Sequence, residues 1–330
     1  MERTEIQDRY ISLLTDFGFK RIFGSQPNKE LLIGFLNALF DGVQVIRDVK
    51  YLNSEKVGDI YIERKAIFDV YCENERGEKF IVEMQNAHQK YFKDRSLYYV
   101  TFPIREQAPK GADWDFHLTN IYVVALLNFD MEEEAFDKND ICHDVALVDT
   151  KTYKIFNRTL WFKYVEIGRF QKSLDEVTTL FDKWIYALRN LSRLSDRPKE
   201  LQEKIFDRLF AEAEIAKFNR EDLKNYEDSL KTYRDLKNSI DTALEQGRME
   251  GREEGIEIGI EKGLKQGREE GREQGREEGK SEGLKQGREE GKSEGILFVA
   301  RQMLQSGMSA EQVATMTFLP VSEVEKLKQS

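Results

Sequence analysis

The chain has 330 residues, 40% of them hydrophobic and 34% charged, which is enough for two or three structural units and one substantial core. A formal net charge of -10 argues against indiscriminate coating of nucleic acid, because phosphate binding depends on positive charge, though it leaves room for a local basic surface. The two cysteines, Cys72 and Cys142, lie in apolar, strand-like settings and suit reduced thiols. No export pattern opens the chain, and the longest apolar run, near Ile121 to Leu127, is too short to span a bilayer, so the expectation is a cytoplasmic protein with no membrane partner.

Taken in chain order, Asn28 can cap a helix over residues 29–40, in which Leu32, Phe35, Leu36 and Leu39 mark an apolar face and Asp41-Gly42 gives the stop. Residues 45–52 can form a first strand. Residues 66–73 and 79–85 read as two further strands, rich in Ile, Phe, Val and Tyr, joined by the turn Asn74-Glu75-Arg76-Gly77-Glu78. A helix over 94–107, which Pro103 should kink or shorten, leads to a buried strand over 118–129. The order is helix, three strands, helix, strand. Beyond it come a strand near 159–165 and helices near 174–194, 199–213 and 220–244, with Trp161, Trp184, Phe206 and Phe210 as apolar anchors for packing on the same core.

Chemistry concentrates on the 66–73 and 79–85 strands. Ile67, Asp69 and Tyr71 share one face of the first, and Ile81, Glu83 and Gln85 share one face of the second. A hairpin brings Asp69 and Glu83 together, with the Gln85 side chain beside them, as an oxygen-rich site for a divalent cation. Metal-assisted phosphodiester cleavage uses such a site. The plain alternative is a salt bridge from Asp69 to Lys65 or Lys79, since an acid inside an apolar strand is costly to bury alone. Downstream, Lys90, Lys93, Arg95 and Arg105 form a basic run that could face a duplex or simply solvent. Cys142-His143 lacks companion ligands, and no Ser-His-Asp set, phosphate loop or zinc spacing competes with the acidic pair.

With these elements in place the chain resembles the PD-(D/E)XK nuclease superfamily, whose core runs αβββαβ and whose signature is an Asp on the second strand and Glu-x-Lys on the third. It is similar, more closely, to the Rpn family of recombination-promoting nucleases and transposase-like proteins, where Glu-x-Gln often fills the third-strand motif. Thr15-Asp16-Phe17-Gly18-Phe19-Lys20-Arg21-Ile22-Phe23-Gly24 resembles that family's N-terminal element, and Arg95 with Tyr98 and Tyr99 resembles its post-motif helix. The resemblance implies an α/β, restriction-endonuclease-like fold, DNA as partner, and Mg²⁺ or Mn²⁺ as cofactor. It also implies Asp69, Glu83 and the Met84 carbonyl as metal ligands, and Gln85 in the lysine position. Glutamine carries no charge and accepts no proton at neutral pH, so it can only orient water or substrate. Asp16 and Lys20, one helical turn apart, can reach the same site or form a local pair, and Arg95 can contact phosphate or sit in an exposed salt bridge.

The tail carries a four-residue repeat: glycine recurs from Gly247 to Gly295 without a miss, mostly as Gly-Arg-Glu-Glu and Gly-Leu-Lys-Gln. On a helix each step of four advances about 400°, so the glycine stripe drifts slowly and associated helices would wind right-handed. Each glycine costs a helix roughly 1 kcal/mol relative to alanine, and pairs such as Glu269 with Arg272 and Glu273 with Arg276 return only about 0.2–0.5 kcal/mol each. The stretch is therefore either a helix ordered by self-association or a flexible charged linker. Residues 296–330 regain apolar periodicity, with Ser309 capping a helix and another starting near Ser322, and resemble the helix-turn-helix-like tail of Rpn-type proteins. That last helix lacks the Arg and Lys density of a groove reader.

These readings divide the chain into a nuclease-like domain (1–195), a helical extension (196–245), the glycine repeat (246–295) and a small helical tail (296–330). They predict a metal-dependent DNA endonuclease linked to recombination or mobile DNA, homo-oligomeric through its tail. The competing expectation is a non-catalytic DNA-binding or assembly protein on a decayed nuclease fold, and RNA cleavage is not separable from DNA cleavage at this level.

Overall fold

In the computed structural model, which describes residues 8–53, 55–56, 66–108 and 115–328, helix α1 (Asp16–Phe23) starts where Thr15 accepts a hydrogen bond from the Gly18 N–H. That cap satisfies one of the donors a helix start leaves open. Gly18 has a steric reason: a Cβ there would lie 2.1 Å from the Ser12 carbonyl oxygen. The close approach seats Phe19, Ile22 and Phe23 in the core while Lys20 stays half-exposed. Helix α2 (Lys29–Phe40) has the expected bounds and stops where Asp41 and Gly42 take positive φ. Asn28, however, caps nothing with its side chain; its amide donates instead to the Arg21 carbonyl at 3.0 Å.

The strands are β1 (Val49–Tyr51), β2 (Glu55–Lys56), β3 (Ala66–Ile67), β4 (Val70–Asn74), β5 (Lys79–Gln85), β6 (Ile121–Leu127), β7 (Cys142–Val148) and β8 (Ile155–Val165). Six form a mixed sheet in the order β1-β4-β5-β6-β8-β7, parallel at β5-β6 and β6-β8 and antiparallel elsewhere, while β2 and β3 pair separately. Helix α3 (Phe92–Glu106) links β5 to β6, as a parallel crossover requires. The order α2, β1, β4, β5, α3, β6 is the expected αβββαβ core.

Strand alternation sends side chains to two cores. Val70, Cys72, Phe80, Val82, Tyr122 and Val124 face α1, α2, α4 (Leu180–Asn190) and α5 (Lys204–Ala213). Tyr71, Ile81, Val123 and Ala125 face Phe92, Tyr99 and Phe102 of α3.

Several boundaries differ from the sequence reading. The first strand keeps only three of the residues expected over 45–52, and the one expected over 66–73 is broken at Phe68-Asp69. Helix α3 runs three residues past Pro103, whose ring is buried on the packed face, so the proline does not end it. Strand β7, where the sequence reading marks only a strand-like setting at Cys142, carries apolar residues at three exposed positions, Val145, Leu147 and Val148, which hides the alternation of an edge strand. Both cysteines are free thiols, Cys72 buried and Cys142 half-buried.

Two compact units are present, Met1–Ala243 and Leu244–Ser330. In the first, Leu201, Phe206, Leu209, Phe210, Tyr226 and Leu230 join the same buried cluster as the sheet, so the segment from 196 to Ala243 shares the sheet's core. Helix α6 (Arg220–Gln305) is continuous over 86 residues. Residues 246–295 are thus helical, with every side chain exposed. In the second unit α7 (Ala310–Thr317) begins with a reciprocal Ser309–Gln312 capping box, and Val313 and Ala314 bury against Ala300 and against Val324 of α8 (Val321–Lys328). Among the described residues no helix is long and apolar enough to cross a membrane.

Candidate active site

The turn between β4 and β5 explains why the two acids meet. Asn74 accepts hydrogen bonds from the Arg76 and Glu78 N–H groups, at 2.9 and 3.0 Å, and Gly77 supplies a φ of +75°. The register that follows pairs Tyr71 with Ile81 and Val70 with Val82. One step further would place Asp69 opposite Glu83.

At that step the ladder changes character. The Met84 N–H donates to Asp69 Oδ2 at 2.9 Å, and the Asp69 N–H donates to Glu83 Oε1 at 3.3 Å. Each acid thereby binds the backbone of the other strand, and the Asp69 side chain takes the place of a ladder acceptor. This competition is why β4 begins at Val70 rather than continuing from 66. Asp69 consequently sits at a strand break, not in mid-strand. The Gln85 carbonyl accepts from Asn128 at 2.8 Å on the β6 side, so the preceding Met84 carbonyl is directed to the β4 side, toward Asp69.

Around the pair, Gln85 Nε2 lies 3.3 Å from Glu83 Oε2, and Arg95 Nη2 lies 3.6 Å from the same oxygen. Arg95 is held by Tyr99, whose hydroxyl accepts from its Nε at 2.5 Å, and by Gln89 at 2.7 Å. Lys20 bridges Asp16 at 2.7 Å and Asp69 at 3.7 Å. Lys20 thus forms a local ion pair with Asp16 and also comes near Asp69. Arg95 is half-buried beside Glu83 rather than in an exposed salt bridge. Lys79 pairs with Glu73 and not with Asp69, and Lys65 lies outside the described residues.

The electrostatics follow from burial. Glu83 is 2% exposed, and lost hydration, reinforced by the Asp69 charge, pushes its carboxyl up to about 8. Burial also raises Asp69 above the ordinary carboxylate value, although the Met84 N–H and then Lys20 oppose it. For Lys20, burial pulls the ammonium down, but Asp16, then Asp69 and Glu83, outweigh it and hold the group above its usual value. Two crowded carboxyls with raised affinity for a proton are also poised to exchange it for a metal cation. The oxygen donors suit a hard ion, but no group of three or more His, Cys, Asp or Glu side chains gathers here or elsewhere among the described residues.

A family model described as PD-(D/E)XK nuclease family transposase matches residues 13–243. The chain belongs to that family. Comparison with curated proteins and with solved structures found no match. The matched span of this PD-(D/E)XK transposase-family chain starts just before α1 and ends with the first compact unit, so it includes Asp16, Lys20, Asp69, Glu83, Met84, Gln85 and Arg95.

Sequence reasoning missed two supports. Asn86 donates to the Leu14 carbonyl at 2.7 Å and accepts from Asn128 at 3.3 Å, tying the end of β5 to the residues before α1 and to the end of β6. Gln89, between β5 and α3, holds Arg95. The polar run Gln85-Asn86 after an apolar strand was the available signal; nothing local marks Gln89.

Proposed function

We propose that the protein is a metal-dependent DNA endonuclease that hydrolyses phosphodiester bonds, linked to recombination or mobile DNA. The observation that carries this reading is the reciprocal engagement of Asp69 and Glu83 across the β4-β5 end, which holds a buried carboxylate beside a partly exposed one. Asp69, Glu83 and the Met84 carbonyl would hold Mg²⁺ or Mn²⁺ through oxygen. Such an ion, when bound, polarises a phosphoryl oxygen and lowers the pKa of attacking water. Lys20 would place positive charge where the phosphate turns more negative, its ammonium already aimed at Asp69. Arg95, fixed by Tyr99 and Gln89, would orient Glu83 and a phosphate oxygen. Gln85 would position water through its amide and take no proton.

One observation favours a second reading, a DNA-binding or assembly protein without catalysis. Gln85 stands where the superfamily has lysine, and its amide is already engaged with Glu83. Plasmid cleavage with Mg²⁺, Mn²⁺, Ca²⁺ and chelator separates the two: nicking or linearisation that chelator abolishes supports the endonuclease, and DNA binding without cleavage under any metal supports the alternative. RNA offered in parallel tests the choice of nucleic acid.

The glycine-repeat stretch of α6 we assign to self-association. Its thirteen glycines, Gly247 to Gly295, have nothing within 4 Å of an added Cβ, so the stripe is open for close backbone approach by another copy. Its Arg and Glu columns offer complementary charge to that copy.

A further inference from the structure

A cavity of about 310 Å³ lies on the sheet face opposite Glu83. Tyr122 in its wall pairs with Phe80, three residues before Glu83, and points into the other core. The cavity is therefore separated from the carboxylates by the sheet and by roughly 10 Å along the strands.

Its floor is aromatic and rigid. Phe40, at the end of α2, meets Tyr122 edge-on with centroids 5.2 Å apart, and Tyr122 stacks on Phe80 at 4.9 Å. Trp161 of β8 is half-buried, and its indole N–H is fixed on the Arg158 carbonyl at 2.6 Å, which leaves the ring as a flat lining surface.

The charges are unbalanced. Lys163 is 8% exposed, 2.6 Å from Asp144 Oδ1, 3.8 Å from Cys142 Sγ and 5.4 Å from the Phe40 ring centre. An ammonium has three donors, and one carboxylate with one weak sulfur acceptor leaves capacity for another oxygen. A cross-strand ion pair accounts for Lys163 beside Asp144, but it does not account for Arg158. Arg158 lines the same cavity, and its guanidinium makes no ion pair or hydrogen bond among the described residues. Two cations against one carboxylate leave the cavity net positive above an aromatic bed, with the amides of Gln44 and Asn120 at its rim.

We propose that this cavity binds a nucleotide, its base lying against Trp161 and its phosphate between Arg158 and Lys163. The volume is at the small end of ligand pockets and suits a single nucleotide. Arginine is well matched to phosphate oxygens, and an aromatic ring accepts any base by its π face. Two sources carry this chemistry, the free nucleotide pool and the terminal nucleotide of a strand. The proposal does not depend on metal-assisted cleavage.

The test uses the full chain carrying Asp69→Ala, so that no strand is cut during the measurement and failure at this cavity is distinguishable from failure of the carboxylate site. Calorimetric titration with AMP, adenosine and inorganic phosphate should show AMP binding at least about tenfold more tightly than either fragment. Arg158→Gln should remove about tenfold from AMP affinity and leave adenosine unchanged, whereas Trp161→Ala should weaken both. Because Arg158 is exposed, its replacement spares the fold, and circular dichroism checks Trp161→Ala. A 5′-phosphorylated oligonucleotide competing with AMP in an Arg158-dependent way points to a strand end; AMP binding that the oligonucleotide cannot displace points to the free nucleotide. No AMP binding, phosphate binding as tight as AMP, or AMP affinity untouched by Arg158→Gln overturns the proposal.

Discussion

At the end of β5 a buried carboxylate, Glu83, meets the partly exposed Asp69, whereas along residues 246–295 of α6 every charged side chain is exposed. In the first region a charge acquires its chemistry from groups far away in sequence: Lys20, Asp69, Glu83 and Arg95 come from α1, a strand break, β5 and α3. Burial raises the proton affinity of the acids, and partners on three elements set by how much. In the second region the charged side chains all face solvent, and what matters is the repeat itself, which sets which faces a second helix could meet. The proposed cleavage would thus be sensitive to single atoms in the first region, and the proposed self-association to a pattern that tolerates single changes in the second.

The sharpest way to break this comparison is to remove one acid. Asp69→Ala and Glu83→Ala should each lower Mg²⁺-dependent plasmid cleavage by on the order of 10³-fold, about 4 kcal/mol in barrier, with the far-ultraviolet circular dichroism unchanged. Full cleavage by both variants would sink the site.

Next in size is the response to pH. Glu83 has an ordinary value of 4.5 raised to about 8, so the folded state holds its proton more tightly than the unfolded chain does. The stabilising contribution is complete below about 4.5 and is lost as pH rises toward 8. Metal-free protein should therefore lose thermal stability between pH 5 and 8, by an amount on the order of a few kcal/mol. Glu83→Gln should flatten that slope, and Mg²⁺ at pH 8 should restore the melting temperature of the wild type but not of the variant. A melting temperature that rises steadily over this range in the wild type and not in Glu83→Gln would contradict the burial argument.

A smaller effect is expected at Gln85. Gln85→Ala should slow single-turnover cleavage by about tenfold while metal affinity holds, and Gln85→Lys should retain or raise the rate. Loss of metal binding in Gln85→Ala would assign the residue to the metal instead of to water.

The gentlest perturbation addresses the tail. Deleting Gly247 to Ser330 should leave a folded, active core in a smaller oligomer by light scattering. Replacing Gly263 and Gly267 by alanine should favour the isolated helix by about 1 kcal/mol per site. If the stripe is the contact between copies, the same pair should weaken association, because an added Cβ meets nothing within the chain and can only obstruct a partner. Unchanged or stronger association would remove glycine from the interface.

Local sequence determined much of this protein. The apolar face of α2, the β4-β5 turn at Asn74 to Glu78, the bounds of β5, the Ser309 cap and the fourfold glycine period all depend on contacts within a few residues, so periodicity and capping chemistry expose them. Tertiary structure decided the rest. Asp69 ends a strand because its carboxylate takes the Met84 N–H, fifteen residues away, and Pro103 stays within α3 because that helix buries its face against the sheet. Only the folded chain brings Arg95 to Glu83 and Lys20 to Asp69. A residue's proton affinity depends on which distant groups exclude water from it and which charges lie within a few ångströms, and neither quantity exists until the chain has folded.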